Sequence, residues 1–156
     1  METFEGGLRT AEDVETLSGE RCLAVLPRVS SGLFSRESVA SIAQTVVDKP
    51  FSEYTEAVRS LRASLLLSRE RREAQSVMIT SCVPGEGKSS LALSLARMSA
   101  MMQVKTVIVD VDFRRSRTTA AIGGQEALGL QDVLRGDAEL DEVVVKDAHS
   151  DLYVLP

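Results

Sequence analysis

A lysine behind two glycines, and two aspartates one residue apart, are the parts of this chain best equipped for chemistry. The first group is Pro84-Gly85-Glu86-Gly87-Lys88-Ser89-Ser90. Gly85 and Gly87 lack a Cβ, so backbone N–H groups there can curl around an anion at close range. The Lys88 amine suits the β- and γ-oxygens of a polyphosphate, and the Ser89 hydroxyl suits Mg²⁺. The second group is Asp110-Val111-Asp112. Side chains at i and i+2 of an extended chain point to one side. Two carboxylates so placed can hold Mg²⁺ directly or through water and accept a proton from an attacking hydroxyl.

Both groups need scaffolding. The apolar run Val77 to Ile79 reads as a buried strand, and Leu91 to Met102 reads as a helix. A helix beginning near Lys88 would aim its unpaired N–H groups and the positive end of its dipole at the glycine loop. Strand, loop, Lys-Ser and helix together make a phosphate-loop pattern. It is a variant of G-x-x-x-x-G-K-[ST], because Cys82 stands where the first glycine falls. Without a ligand the same residues would simply turn a strand into a helix. Val107 to Val109 is a continuous apolar run, as expected of a strand buried on both faces of a parallel sheet. Its C-terminal end carries the aspartates, at the edge where open α/β sheets bind ligands.

Pro84 to Ser89, followed by Val107-Ile-Val-Asp-Val-Asp112-Phe-Arg114, resembles the Walker A and Walker A′ motifs of the bacterial tyrosine kinases (BY-kinases). These form the cytoplasmic part of polysaccharide co-polymerases, which govern capsule and exopolysaccharide export. The resemblance implies a P-loop NTPase-type, SIMIBI-like α/β fold: a three-layer parallel sheet with flanking helices, incomplete at the C-terminus. It implies ATP and Mg²⁺, with Pro84 to Ser90 and Arg114 around the nucleotide. Ser89, Asp110 and Asp112 would serve the metal, and Lys88, Asp110 and Asp112 catalysis. The implied activity is protein-tyrosine (auto)phosphorylation that regulates polysaccharide export. Glu56-x-x-Arg59-x-x-Arg62 is similar to the motif by which these kinases assemble into rings. As plain helix chemistry the same residues make a solvated flank with i,i+3 pairs.

The rest of the chain supplies elements. Thr10 reads as an N-cap, with Glu12 and Asp13 in the first turn and Gly19 at the end. Cys22 to Leu26 reads as a short strand stopped by Pro27. The resemblance makes residues 1–27 a membrane-proximal segment, with a membrane helix just upstream of Met1. Residues 28–50 read as a linker, a loop at Ser30 to Gly32 followed by a short helix over Ser38 to Val47. Residues 51–156 are expected to be the front of the nucleotide domain. Ser52 can cap a helix to about Leu67, with Tyr54, Val58, Leu61 and Leu65 on its apolar face. Arg69 to Glu73 reads as a charged turn. Leu91, Leu95, Met98 and Met102 should form the core face of the next helix. Gln103 follows, where the family carries a left-handed glycine. Gly129 to Gly136 reads as a short helix, Glu142 to Val145 as another short element, and Leu152 to Pro156 as a third strand.

The 156 residues carry a formal charge of −5, which argues against nucleic acid as the main partner. The expected partners are instead further copies of the chain in a ring, the membrane-spanning co-polymerase portion, and tyrosine-containing proteins. Two cysteines, Cys22 and Cys82, suit a reducing cytosol better than a disulfide framework. Location at the inner face of the plasma membrane follows from the resemblance. His149, in Ala-His-Ser-Asp151, reads as a surface residue. The family's Walker B strand and tyrosine-rich tail have no counterpart before Pro156. The chain therefore looks like the front part of a kinase domain with impaired catalysis, its strand edges open to association. Alternative readings are a non-catalytic nucleotide-binding or oligomerisation module, or a partitioning-type P-loop ATPase. Those ATPases carry an extra lysine early in the loop, which is absent near Val83.

Overall fold

The computed structural model describes residues 10–29, 38–67, 76–124 and 128–156. The expected loop at Ser30 to Gly32 and the charged turn at Arg69 to Glu73 lie outside them. Helix ends follow local capping. Helix α1 (Ala11–Ser18) opens with a capping box between Thr10 and Asp13 and closes on left-handed Gly19. Helix α2 (Val39–Asp48) starts at Ser38, whose hydroxyl accepts the Ser41 N–H. Helix α3 (Glu53–Leu67) starts at Ser52, which does the same for Thr55. Helix α4 (Lys88–Met101) begins directly on the glycine loop.

The sheet among the described residues has three strands, β1 (Val107–Val109), β2 (Val145–Lys146) and β3 (Tyr153–Leu155), in the order β1-β3-β2. The β1–β3 pairing is parallel, with Ile108 opposite Val154. The β2–β3 pairing is antiparallel, with Val145 opposite Val154. An all-parallel sheet was expected, but the turn at Ala148 to Ser150 is too short for a crossover and folds β2 and β3 into a hairpin. Two expected strands are also unpaired among the described residues. There Val77 to Ile79 and Cys22 to Leu26 join no ladder, and Val77 and Met78 are 46% and 87% exposed.

The core lies on one side of the sheet. Leu93, Ala96 and Ala100 of α4 pack with Ala43 of α2 and with Leu152 and Val154, and Ile108 joins them. A second cluster unites Val46 of α2, Tyr54 and Val58 of α3, and Leu95 and Met98 of α4, with Ile79 at its margin. Helix α2 therefore belongs to the packed body, although residues 28–50 read as a linker. Met102, expected on the core face, is instead exposed at the end of α4. On the opposite face, Leu155 is buried but Val107, Val109 and Tyr153 are half-exposed, so the described residues do not show the full helix cover on both faces that three layers require.

Three short helices complete the chain: α5 (Arg117–Ala121), α6 (Leu130–Arg135) and α7 (Leu140–Val143). Helix α6 ends at left-handed Gly136 and is tied to β3 by Leu130 N–H donating to the Pro156 carbonyl at 2.7 Å. A buried ion pair spans the rear of the body. Arg97 of α4 donates Nε and an Nη to the two carboxylate oxygens of Asp147, at 3.1 and 2.8 Å. Arg97 also donates to Gln44 of α2. Burial pushes the Asp147 carboxyl up, but hydrogen bonds from Arg97 and Ser150 outweigh it and hold the group below its ordinary value.

Candidate functional site

The glycine loop takes a backbone shape that side chains resist. Gly85 and Gly87 both have φ near 92°, in the left-handed region, and a Cβ at either would meet nothing within 4 Å. The constraint is therefore conformational rather than steric, and it leaves open space in front of both residues. Gly87 is the N-cap of α4 and supplies no side-chain cap. The first N–H groups of a 14-residue helix are thereby left facing the loop. Glu86 braces the curl by accepting the Val83 N–H at 3.0 Å.

Lys88 and Asp112 come together across 24 residues of sequence. Lys88 Nζ donates to Asp112 Oδ2 at 2.9 Å. That contact holds the Asp112 carboxyl below its ordinary value, helped by the backbone N–H groups of Arg115 and Arg114. Helix α4 delivers one partner and the end of β1 the other.

Asp110 has a different neighbourhood. It is buried, and its Oδ1 accepts the Asp112 N–H at 3.1 Å. Its Oδ2 accepts both the N–H and the hydroxyl of Thr119 at 2.9 Å. Both oxygens are thus engaged in fastening α5 and the Asp112 turn to the end of β1. The two aspartates were expected to share one task, but only Asp112 meets Lys88. Between them and α5, Ser116 sits at φ 37°. Its N–H donates to the Asp112 carbonyl at 2.7 Å.

A cavity of about 540 Å³ opens onto Gly85, Gly87, Lys88, Ser89 and Ser90. Its other walls are the start of α2 and the Arg117 side of α5. Pro84 and Arg114 are exposed nearby without lining it. Glu56, Arg59 and Arg62 lie apart on α3. Glu56 pairs with Arg59, which also reaches the Pro50 carbonyl at 3.2 Å. Arg62 Nε donates to Ser99 of α4 at 3.2 Å.

Sequence reasoning treated Tyr54 only as an apolar residue and did not single out Ser94. The Tyr54 hydroxyl lies 2.9 Å from Ser94 Oγ, and Ser94 Oγ donates to the Ser90 carbonyl at 2.7 Å. Because Ser94 spends its proton on Ser90, Tyr54 is the donor between the two. The chain of bonds ties α3 to the first turn of α4, directly behind the glycine loop. Burial raises the Tyr54 phenol above its ordinary value. Four-residue spacing between Ser90 and Ser94 was the available signal.

No family model matches the chain. Tyrosine-protein kinase YwqD of Bacillus subtilis is 33% identical over 107 residues, covering 69% of this chain and 45% of that protein. The kinase domain of the Escherichia coli tyrosine kinase ETK superposes with a TM-score of 0.80 at 26% identity, over 96% of this chain and 59% of that one. The chain belongs to the bacterial tyrosine kinase family. A relative named for polysaccharide transport also matches the chain. The succinoglycan biosynthesis transport protein ExoP of Rhizobium meliloti is 29% identical over 115 residues, 74% of this chain and 15% of that protein. The chain thus spans less than half the length of these curated relatives. Among its described residues no helix is long and apolar enough to cross a membrane.

Proposed function

We propose that this chain carries the nucleotide-binding part of a protein-tyrosine kinase that regulates exopolysaccharide or capsule export. The observation that carries the reading is the meeting of Lys88 and Asp112 at 2.9 Å beside an open glycine loop. The donor set fits Mg·ATP: left-handed glycines with nothing in front of them, uncapped helix N–H groups, an amine, a hydroxyl and a carboxylate. In this reading Pro84 to Ser90 cradle the phosphates, and Arg114 lies at the rim. Lys88 exchanges Asp112 for phosphate oxygens. Ser89 and Asp112 would hold Mg²⁺, which offsets phosphate charge when bound. Asp110 keeps Asp112 and α5 in place and would be a second carboxylate for the ion. A tyrosine hydroxyl on the same or a neighbouring chain is the acceptor.

The same reading places Glu56, Arg59 and Arg62 at a contact between copies in a ring, for which Arg59 and the flank of α3 are accessible. It includes the three-layer SIMIBI-like architecture, supported by the TM-score of 0.80 to the ETK kinase domain. It assigns residues 1–27 to a membrane-proximal segment, 28–50 to a connection whose helix α2 packs onto the nucleotide domain and walls its cavity, and 51–156 to that domain. The membrane-spanning co-polymerase portion is then the partner, at the inner face of the plasma membrane.

The test is calorimetric titration of Mg·ATP into the wild type and Lys88→Met, followed by phosphotyrosine blotting. The wild type should bind at least tenfold more tightly. Equal affinities would overturn the nucleotide reading. Binding without phosphotyrosine would favour a non-catalytic nucleotide-binding module instead.

A further inference from the structure

The geometry points to Arg117 as a second phosphate-binding cation, facing Lys88 across the cavity and holding polyphosphate oxygens directly. This rests on the nucleotide reading above and adds a residue to it. Among the described residues that line the cavity, the charged ones are Lys88 and Arg117, and none is acidic. Lys88 is already engaged by Asp112. Arg117 is exposed, and its guanidinium has no hydrogen-bond or ion-pair partner among the described residues. Among the described residues, an anion entering the cavity therefore meets Arg117 as the cation not yet neutralised, while Lys88 must first leave its carboxylate.

The placement of Arg117 is built rather than incidental. Ser116 adopts φ 37°, which a non-glycine residue rarely does, and turns the chain sharply after Asp112. Asp110 then pins the next turn by accepting two hydrogen bonds from Thr119. The result puts one arginine of the run Arg114, Arg115 and Arg117 in the cavity's lining and leaves the other two outside it. Spacing alone could not separate the three. A planar guanidinium takes two phosphate oxygens in parallel, so it suits a polyphosphate better than a monovalent anion.

The experiment measures the affinity of inorganic triphosphate and of Mg·ATP for the wild type, Arg117→Ala, Arg117→Glu, Arg115→Ala and Lys88→Met. Arg117→Ala should weaken both ligands about three- to tenfold, and Arg117→Glu more than tenfold. Arg115→Ala should stay within twofold. The Arg117 effect should shrink as salt rises, because exposed charges are screened. If both Arg117 variants stay within twofold while Lys88→Met weakens binding, the inference fails and the nucleotide reading stands. If Lys88→Met also binds as the wild type does, the nucleotide reading itself is lost.

Discussion

At the scale of single residues, the Lys88–Asp112 pair sets the state of the site before any anion arrives. A carboxyl stabilised in its charged form by a neighbouring ammonium titrates below its ordinary value. The sign of the linkage follows: a depressed folded-state pKa contributes stability above the unfolded value, and that contribution is lost as pH falls through the folded one. The window therefore lies below about pH 4, the usual aspartate value. Carbon-detected NMR of the Asp112 carboxyl should give a midpoint under that value in the wild type and a return toward it in Lys88→Met. An unchanged midpoint in the variant would mean that Lys88 is not the stabilising group. The residues of this pair were legible because glycines, Lys-Ser and twin aspartates are rare in such spacing. The division of labour between Asp110 and Asp112 was not, because it depends on Thr119 folding back onto the end of β1.

At the scale of elements, the caps were legible and the strands less so, for one physical reason. Capping is local: Thr10, Ser38 and Ser52 each satisfy an N–H three residues along the chain. A strand exists only if a distant partner hydrogen-bonds to it. Val77 to Ile79 had the apolar content of a strand but meets no ladder among the described residues. Gln103 is a case where local reasoning went further. It adopts φ 61°, its N–H donates to the Ala100 carbonyl, and the Val104 N–H donates to Ser99. That is a Schellman closure of α4 with glutamine at the position glycine favours. The left-handed conformation costs an L-residue roughly 1–2 kcal/mol, part of which glycine loses again to backbone entropy. Gln103→Gly should therefore stabilise the chain by about 1 kcal/mol, seen as a rise of roughly 3 °C in melting temperature. A fall in the melting temperature would show that the Gln103 side chain contributes more than the strain removes.

At the scale of the whole molecule, the described residues seal one face of the sheet and cover the other only at Leu155. Helices α2 and α4 cover Ile108, Leu152 and Val154, and the Arg97–Asp147 pair locks those helices to the β2–β3 hairpin. Such a pair is weak evidence for net stability, but breaking it would leave a buried charge at a cost of about 3–5 kcal/mol. It spans 50 residues of sequence and could not be read from either end. Across the sheet, Val107, Val109 and Tyr153 stand half-exposed, and β1 is the edge strand among the described residues. Val111 and Phe113 extend the same apolar exposure past the strand's end. Edge strands with apolar side chains promote association between chains, and charged side chains on them oppose it. Val109 is 44% exposed, so a lysine there can reach water without burying its charge. The wild type should therefore self-associate with rising concentration in sedimentation experiments, while Val107→Lys/Val109→Lys stays monomeric to several-fold higher concentration. Because neither substitution touches the core, far-ultraviolet circular dichroism should match between the two. A wild type that stays monomeric throughout and melts in one reversible transition would show that this face needs no cover.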